Sequence, residues 1–367
     1  MADMDVNPKR PRIHIHLPAT LMLFLVTPLV NGCDAPVLSW PLWDGHESVA
    51  DYAKRVNLPP TKTLDLGNGV KLETVLIPAG TFIMGTPEPE KPAVGQTMVG
   101  ISGFIVFVAA LLLLIRAWRK RKRPQFSLAF MLVMMIVASV GVWGGVRWHK
   151  ALKVVDVGSP EEHPAHVVTL TKPFYMTKYP VTQEQYQQVM GTIPILSDFK
   201  RKSIPVETLS WDVAQHFCKS LTEQMRQPVR LPTEAEWEYS CRAGTTTAFY
   251  SGNTEKDLNR VAWYDANSKN TTHPVGQKEA NAFGLYDMHG NVWQACQDWY
   301  GIDYYGKSPV EDPGGPTQGF FHVVRGGSSF MEAGLSRSAC RLNYPAQRYV
   351  LFYFGFRVVV AVPSTIP

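Results

Sequence analysis

Five cysteines, Cys33, Cys218, Cys241, Cys296 and Cys340, are the side chains of this 367-residue chain best suited to redox or soft-metal chemistry. A thiolate works as nucleophile or metal ligand when a second thiol, an imidazole or a cation stands at a fixed short spacing from it. No CxxC pair and no zinc-type spacing occurs here, and the odd count leaves at least one thiol unpaired within a monomer. His163 and His166 are three apart, but Pro164 lies between them and spoils helical alignment. No GxSxG elbow, phosphate-binding loop or paired-carboxylate motif stands out. Chemistry of those types is not indicated.

Two stretches must position whatever the chain does carry. In Arg230–Gly244, RLPTEAEWEYSCRAG, Thr233 and Glu236 form a capping box, so a short helix is predicted to start there. It places Trp237 and Cys241 on one face and ends at Arg242–Gly244. In Gly284–Tyr300, GLYDMHGNVWQACQDWY, Gly284, Gly290 and Asn291 break an aromatic-rich run too irregular for one long helix or strand. A core of fixed turns and large aromatics, with little regular sheet, is expected. Around these, Thr74–Gly85 reads as a hairpin about a Pro-Ala-Gly turn, and His166–Thr182 alternates in the strand period. Thr182 and Gln185 suggest a second capping box for a helix stopping at Gly191. Ser210 is expected to cap Trp211–Arg226, with Val213, Phe217 and Leu221 as its buried face. Arg325–Gly326–Gly327–Ser328 is a sharp break, and residues 354–362 close the chain as a strand. Asn270–Thr271–Thr272 is a glycosylation-type sequon, informative only where that machinery exists.

The net charge of +5 is misleading as a whole. Nine basic residues, in Lys9–Arg12 and Arg116–Arg123, flank apolar stretches, and the remainder is near neutral. A concentrated basic face is missing, which excludes a nucleic-acid partner. Leu17–Val30 is apolar behind a basic start, so residues 1–33 read as a signal or N-terminal membrane anchor. Met98–Ile115 and Phe126–Val146 carry no charge and are long enough to span a bilayer, with six basic residues between them. The expectation is two transmembrane helices over 98–146 whose basic loop is cytoplasmic. The lipid bilayer is then a partner, and the lead-in at 34–73 and the globular parts at 74–97 and 159–362 are extracytoplasmic.

The ordered motifs VLIPAGTFIMG, PFYMTKYPVTQEQY, PVETLSWDVAQHFC, RLPTEAEWEYSCRAGT, HPVGQKEANAFGLYDMHGNVW, VVRGGS and FGFRVVV resemble the formylglycine-generating enzyme family, the sulfatase-modifying factors. The resemblance covers Thr74–Gly85 and Ser159–Val362. It implies an α+β fold, distantly like C-type lectins and sparse in secondary structure, interrupted here by the transmembrane helical hairpin.

The family's oxidising members turn a sulfatase cysteine into formylglycine, using monovalent copper held by two cysteines five residues apart after the Gly-Gly-Ser turn. By that resemblance Ser328 is kept, while the two thiol positions hold Met331 and Ser336. Neither supplies a thiolate, so copper is not expected; Cys340 lies four residues beyond and reads as a small core residue. The implied calcium positions are Asp287, Gly290, Val292 and Gln294, with Gln294 standing for a glutamate, and secondarily Asn259 and Asn267. Calcium, if bound, is expected to bind weakly. The His-x3-His-x-Glu pattern of the iron-dependent, sulfoxide-making members does not occur, and His273 and His289 read as hydrogen-bonded scaffold. The resulting expectation is a membrane-anchored, extracytoplasmic binding or scaffolding module for a polypeptide or glycan. The alternative is an oxidoreductase acting on a sulfatase cysteine or a related protein or small molecule.

Overall fold

An Asn68–Gly69 turn, with both residues at positive φ, folds Thr61–Gly67 (β1) back on Val70–Ile77 (β2). That backbone twist matches the twist of the paired strands, which is why Asn-Gly suits a two-residue hairpin. In this computed structural model residues 40–87, 158–192, 202–345 and 353–362 are described. A capped helix, α1 (Val49–Arg55), precedes the hairpin. The lead-in is thus a structured part of the domain. The expected N-terminal anchor lies outside the described residues.

β2 also pairs with β5 (Phe174–Thr177). β11 (Val359–Ala361) and β6 (Val229–Arg230) complete a five-stranded antiparallel sheet in the order β1-β2-β5-β11-β6. β7 (Trp293–Trp299), β8 (Phe321–Arg325), β9 (Arg341–Pro345) and β10 (Phe354–Gly355) form a second sheet ordered β10-β7-β8-β9. The expected C-terminal strand is therefore two strands in two sheets. Sheet content also exceeds the expectation, since the aromatic run after Gly290 settles into β7.

The expected hairpin at Thr74–Gly85 is not formed. β3 (Gly80–Met84) pairs with β4 (His166–Leu170) instead. The Pro-Ala-Gly corner is claimed by the lead-in: the Ala79 amide donates to Tyr52 Oη at 3.2 Å, and its carbonyl accepts from the Trp43 amide at 2.7 Å. The corner thereby redirects the chain from one sheet to another.

The fold class needs a second correction. β3 and β4 pair directly, with Met84 opposite His166, so the domain closes from both sides of residues 88–157. No helix among the described residues is long and apolar enough to cross a membrane. The longest, α3 (Trp211–Met225), has 15 residues, about 22 Å against the roughly 30 Å of a bilayer core. Among the described residues the fold is the mixed α+β domain, with no transmembrane hairpin. The segments 98–115 and 126–146 that prompted that expectation lie outside the described residues.

Both predicted capping boxes are present. Thr182 and Gln185 start α2 (Gln183–Met190), which stops at Gly191 with φ +71°; Thr233 and Glu236 start α4 (Glu234–Arg242). Ser210 precedes α3 without making the side-chain cap bond, and the buried face of α3 is Ala214, Phe217, Cys218 and Leu221. α4 is the central element: all nine of its residues are buried. A helix with four charged residues can be buried only if each charge is answered. Glu234 holds Arg341 through two 2.7 Å bonds, and Glu238 pairs with Arg325 and with Arg242. Arg230 grips Glu236 with two 2.6 Å bonds. These pairs tie α4 to β6, β8 and β9, which position the site.

Candidate functional site

β8 ends in the Arg325–Ser328 turn, where Gly326 and Gly327 have φ of +95° and +74°. A Cβ at Gly327 would strike Ser336, so this position needs glycine on two counts. Ser328 is buried, and its carbonyl accepts the Met331 amide at 3.1 Å; the Met331 carbonyl accepts the Asp265 amide at 3.1 Å. Ser336 ends a 3₁₀ turn (Ala333–Ser336) and is fully buried against Gly327, its hydroxyl without a hydrogen-bond partner among the described residues.

Met331 lines a cavity of about 530 Å³; Ser336 does not. The walls come from Trp293, Val324, Leu342, Tyr344 and Phe354, and Phe330 and Tyr353 stack at 5.6 Å beside it. The Tyr344 and Phe354 rings stack at 4.0 Å. Sequence reasoning missed this cavity: its residues come from β7, β8, β9, β10 and the loop after the Gly-Gly turn, and no spacing announces their convergence.

Copper does not fit these residues. The thioether of Met331 is neutral, the Ser336 hydroxyl faces the turn, and no thiolate is at hand. Cys340 is buried, its carbonyl accepts Arg325 Nη1 at 2.6 Å, and burial pushes its thiol up to about 12. Cys241 lies 3.8 Å from His289 Nε2 and from Ser338 Oγ, which looks like a thiol–imidazole pair. Burial raises that thiol to about 12 and lowers His289 to about 3, so both stay neutral. Cys218, Cys241, Cys296 and Cys340 are all free and buried. A maleimide is therefore expected to leave these four unmodified in native protein and to reach all of them in denaturant. Fast native modification of any one, located by peptide mapping, would contradict the burial argument.

The Asp287–Gln294 turn is held entirely by the protein. Gln294 Oε1 accepts Trp237 Nε1 at 2.8 Å and Arg357 Nε at 2.6 Å, while its Nε2 donates to the Asp287 carbonyl at 2.8 Å. Asp287, at φ +52°, takes the Gly276 amide and Asn291 Nδ2 on its carboxyl oxygens. Val292 is buried, and Gly290 packs so close to Trp263 that a Cβ would run into its carbonyl. Asn259 and Asn267 are brought together, but their amides bond each other at 2.6 Å. The side-chain oxygens of Gln294, Asp287, Asn259 and Asn267 thus already accept protein donors, which leaves them poorly placed to hold calcium. Among the described residues no cluster of three or more His, Cys, Asp or Glu could hold a metal. His273 stacks on Trp263 at 3.8 Å with Nε2 on the Ser268 carbonyl, a scaffold role; His163 and His166 flank the start of β4 and share no helix.

Residues 138–362, more than half of the chain, match the sulfatase-modifying factor enzyme 1-like domain. The chain belongs to the sulfatase-modifying factor family. Among similar proteins, serine/threonine-protein kinase pkn1 of Chlamydia caviae is 32% identical over 206 residues, 48% of this chain and 31% of that protein. The sulfatase-modifying-factor chain thus spans about a third of that relative's length. The formylglycine-generating enzyme of Streptomyces coelicolor is 34% identical over 35% of this chain and 43% of its own, and that of Mus musculus 28% over 69% and 65%. Treponema denticola variable protein 1 superimposes with a TM-score of 0.58 at 24% identity, over 82% of this chain and 99% of its own. That likeness establishes the fold. In this sulfatase-modifying-factor domain, the cavity beside Met331 is the feature with room for a ligand next to the Gly-Gly-Ser turn.

Proposed function

We propose that this sulfatase-modifying-factor domain is a binding module that holds a polypeptide by an apolar side chain, without oxidising it. The observation that carries this reading is the cavity of about 530 Å³ beside Met331, lined by aliphatic and aromatic side chains with Asn343 as its one amide. Tyr344 Oη is engaged by the Leu209 carbonyl at 2.9 Å and Tyr353 Oη by that of Asn270 at 3.1 Å. A sugar would find few partners there, whereas an aliphatic or aromatic side chain would be desolvated on most sides. The missing thiolates support binding over oxidation, since Met331 and Ser336 leave packing intact and remove the ligands for a soft ion.

The test is a panel of otherwise identical peptides presenting Leu, Phe or Ser, followed by titration calorimetry. Leu and Phe peptides should bind about ten- to a hundred-fold more tightly than Ser peptides, the worth of one buried side chain. Met331→Trp, which fills the cavity, should abolish that preference with the circular dichroism unchanged. Equal affinity across the panel would refute the reading. So would enzyme-dependent aldehyde formation on a cysteine peptide with copper and a reductant, read by mass spectrometry.

A further inference from the structure

We propose that the free edge of β3 is a second polypeptide-binding site, which takes an extended, uncharged to basic segment of another polypeptide as an added strand. The direction of the main-chain groups follows from β4. Thr169 donates its amide to the Val310 carbonyl at 2.7 Å, and its carbonyl accepts the Asp312 amide at 3.0 Å. Its main-chain groups thus turn away from β3, and in an antiparallel pair the residue opposite turns its own away on the far side. That residue is Thr81, and Ile83, two along, repeats it. The amides and carbonyls of Thr81 and Ile83 have no partner among the described residues. One rung earlier on the same edge, the Ala79 carbonyl accepts the Trp43 amide at 2.7 Å. A main chain therefore already lies against this edge. It bends at residues 45–47 and enters α1 without reaching a second rung.

The other sheet edges carry obstacles to strand addition. β1 has Lys62, Asp65 and a bulge, β9 ends on Pro345, β6 and β10 are two residues long, and residues 310–312 cover β4. Thr81, Phe82 and Ile83 bring no charge, proline or bulge, and Thr81 and Ile83 are exposed. A hollow of about 350 Å³ adjoins them. Phe82 lines it from one face of β3 and Thr81 and Ile83 from the other, with Trp43, Asp44 and Thr245 completing the wall. Main-chain bonds then supply affinity, and the hollow selects side chains. Arg242 in the lining is paired with Glu238, so the exposed carboxylate of Asp44 sets the local charge and favours a basic residue on the added strand. The hollow shares no lining residue with the cavity beside Met331.

The probe is a short capped peptide, a lysine followed by alternating threonine and valine, titrated into the purified full chain. Two isomers carry N-methyl groups on alternate amides, one on the odd positions and one on the even. An added strand pairs through one of its edges. One isomer should therefore bind like the unmethylated peptide, and the other about ten- to a hundred-fold more weakly, as expected for losing two or three main-chain hydrogen bonds. Thr81→Pro removes an outward donor and leaves the ladder to β4 intact, so it should weaken the peptide several-fold at unchanged circular dichroism. If that variant does not fold, the two isomers decide alone. Absent binding, or equal binding of the isomers, would overturn the proposal. So would displacement of the probe by the Leu peptide of the Met331 cavity, or a dimer of the full chain that excludes the probe, which would assign the edge to a second copy.

Discussion

Glu238→Gln is expected to lower the unfolding free energy by about 3–5 kcal/mol while preserving side-chain shape. Glu238 is fully buried and answers two guanidinium groups, Arg325 and Arg242, while its Oε1 also accepts the Gly85 amide at 2.9 Å. Burial alone would raise its pKa. The charges of Arg242 and Arg325 and the Gly85 amide outweigh burial, and the carboxyl stays below its ordinary range. The amide variant keeps the volume, leaves Arg242 without a carboxylate and leaves Arg325 only Glu234, 3.4 Å away, in a dry core. Urea unfolding should show a lower midpoint at unchanged slope. Lys202→Gln is the control: that lysine pairs with Glu184 at 2.8 Å but is 82% exposed, so about 0–1 kcal/mol is expected. Equal losses from the two variants would show that burial does not set the worth of these pairs.

Asp298→Asn should act in the opposite direction and change the pH profile of stability. Burial and the nearby Glu234 charge push the Asp298 carboxyl up to about 8 from an ordinary 3.8. The sign follows from proton counting: between those values the folded protein binds more protons than the unfolded chain, so stability falls as pH rises from about 4 to about 8. The slope within that window approaches about 1.4 kcal/mol per pH unit. Asparagine has no proton to lose, and its side-chain oxygen can still accept the Glu234 amide that Asp298 Oδ2 takes at 2.8 Å. The variant should match the parent near pH 4, exceed it at pH 8 and lack the decline between. Glu162 runs the other way. Burial works against its charge, but Arg337 and the Thr86 hydroxyl hold it at about 2, so its contribution is intact above 4.5 and lost as pH falls toward 2. An Asp298→Asn variant that gains no stability relative to the parent between pH 5 and pH 8 would rule out a protonated Asp298.

Legibility in the sequence divided along a physical line. Interactions closed within a few residues were readable: the capping boxes at Thr182 and Thr233, the Gly191 stop and the Gly-Gly turn each depend on local geometry. The Asn68–Gly69 hairpin was equally local, and reading residues 34–73 as a plain lead-in passed over it. Long-range partners were not readable. Tyr52 and Trp43 decide the path after Pro78, and Glu234 meets Arg341 more than a hundred residues away. The family motifs singled out Gln294 and Met331 along the chain but gave no orientation. Only the fold shows that Gln294 faces Trp237 and Arg357, and that Met331 and Ser336 lie on different sides of the turn.

The direct pairing of Met84 with His166 makes the point between β3 and β4 a natural graft site. Thr86 donates its amide to the Glu162 carbonyl at 3.1 Å, so the two chain ends leave the ladder side by side. Closing a loop on such a gate costs an entropy that grows only with the logarithm of its length, about 0.6 kcal/mol per doubling. Lengthening the connection at this point therefore costs the domain little entropy, provided the inserted segment's two ends lie close together.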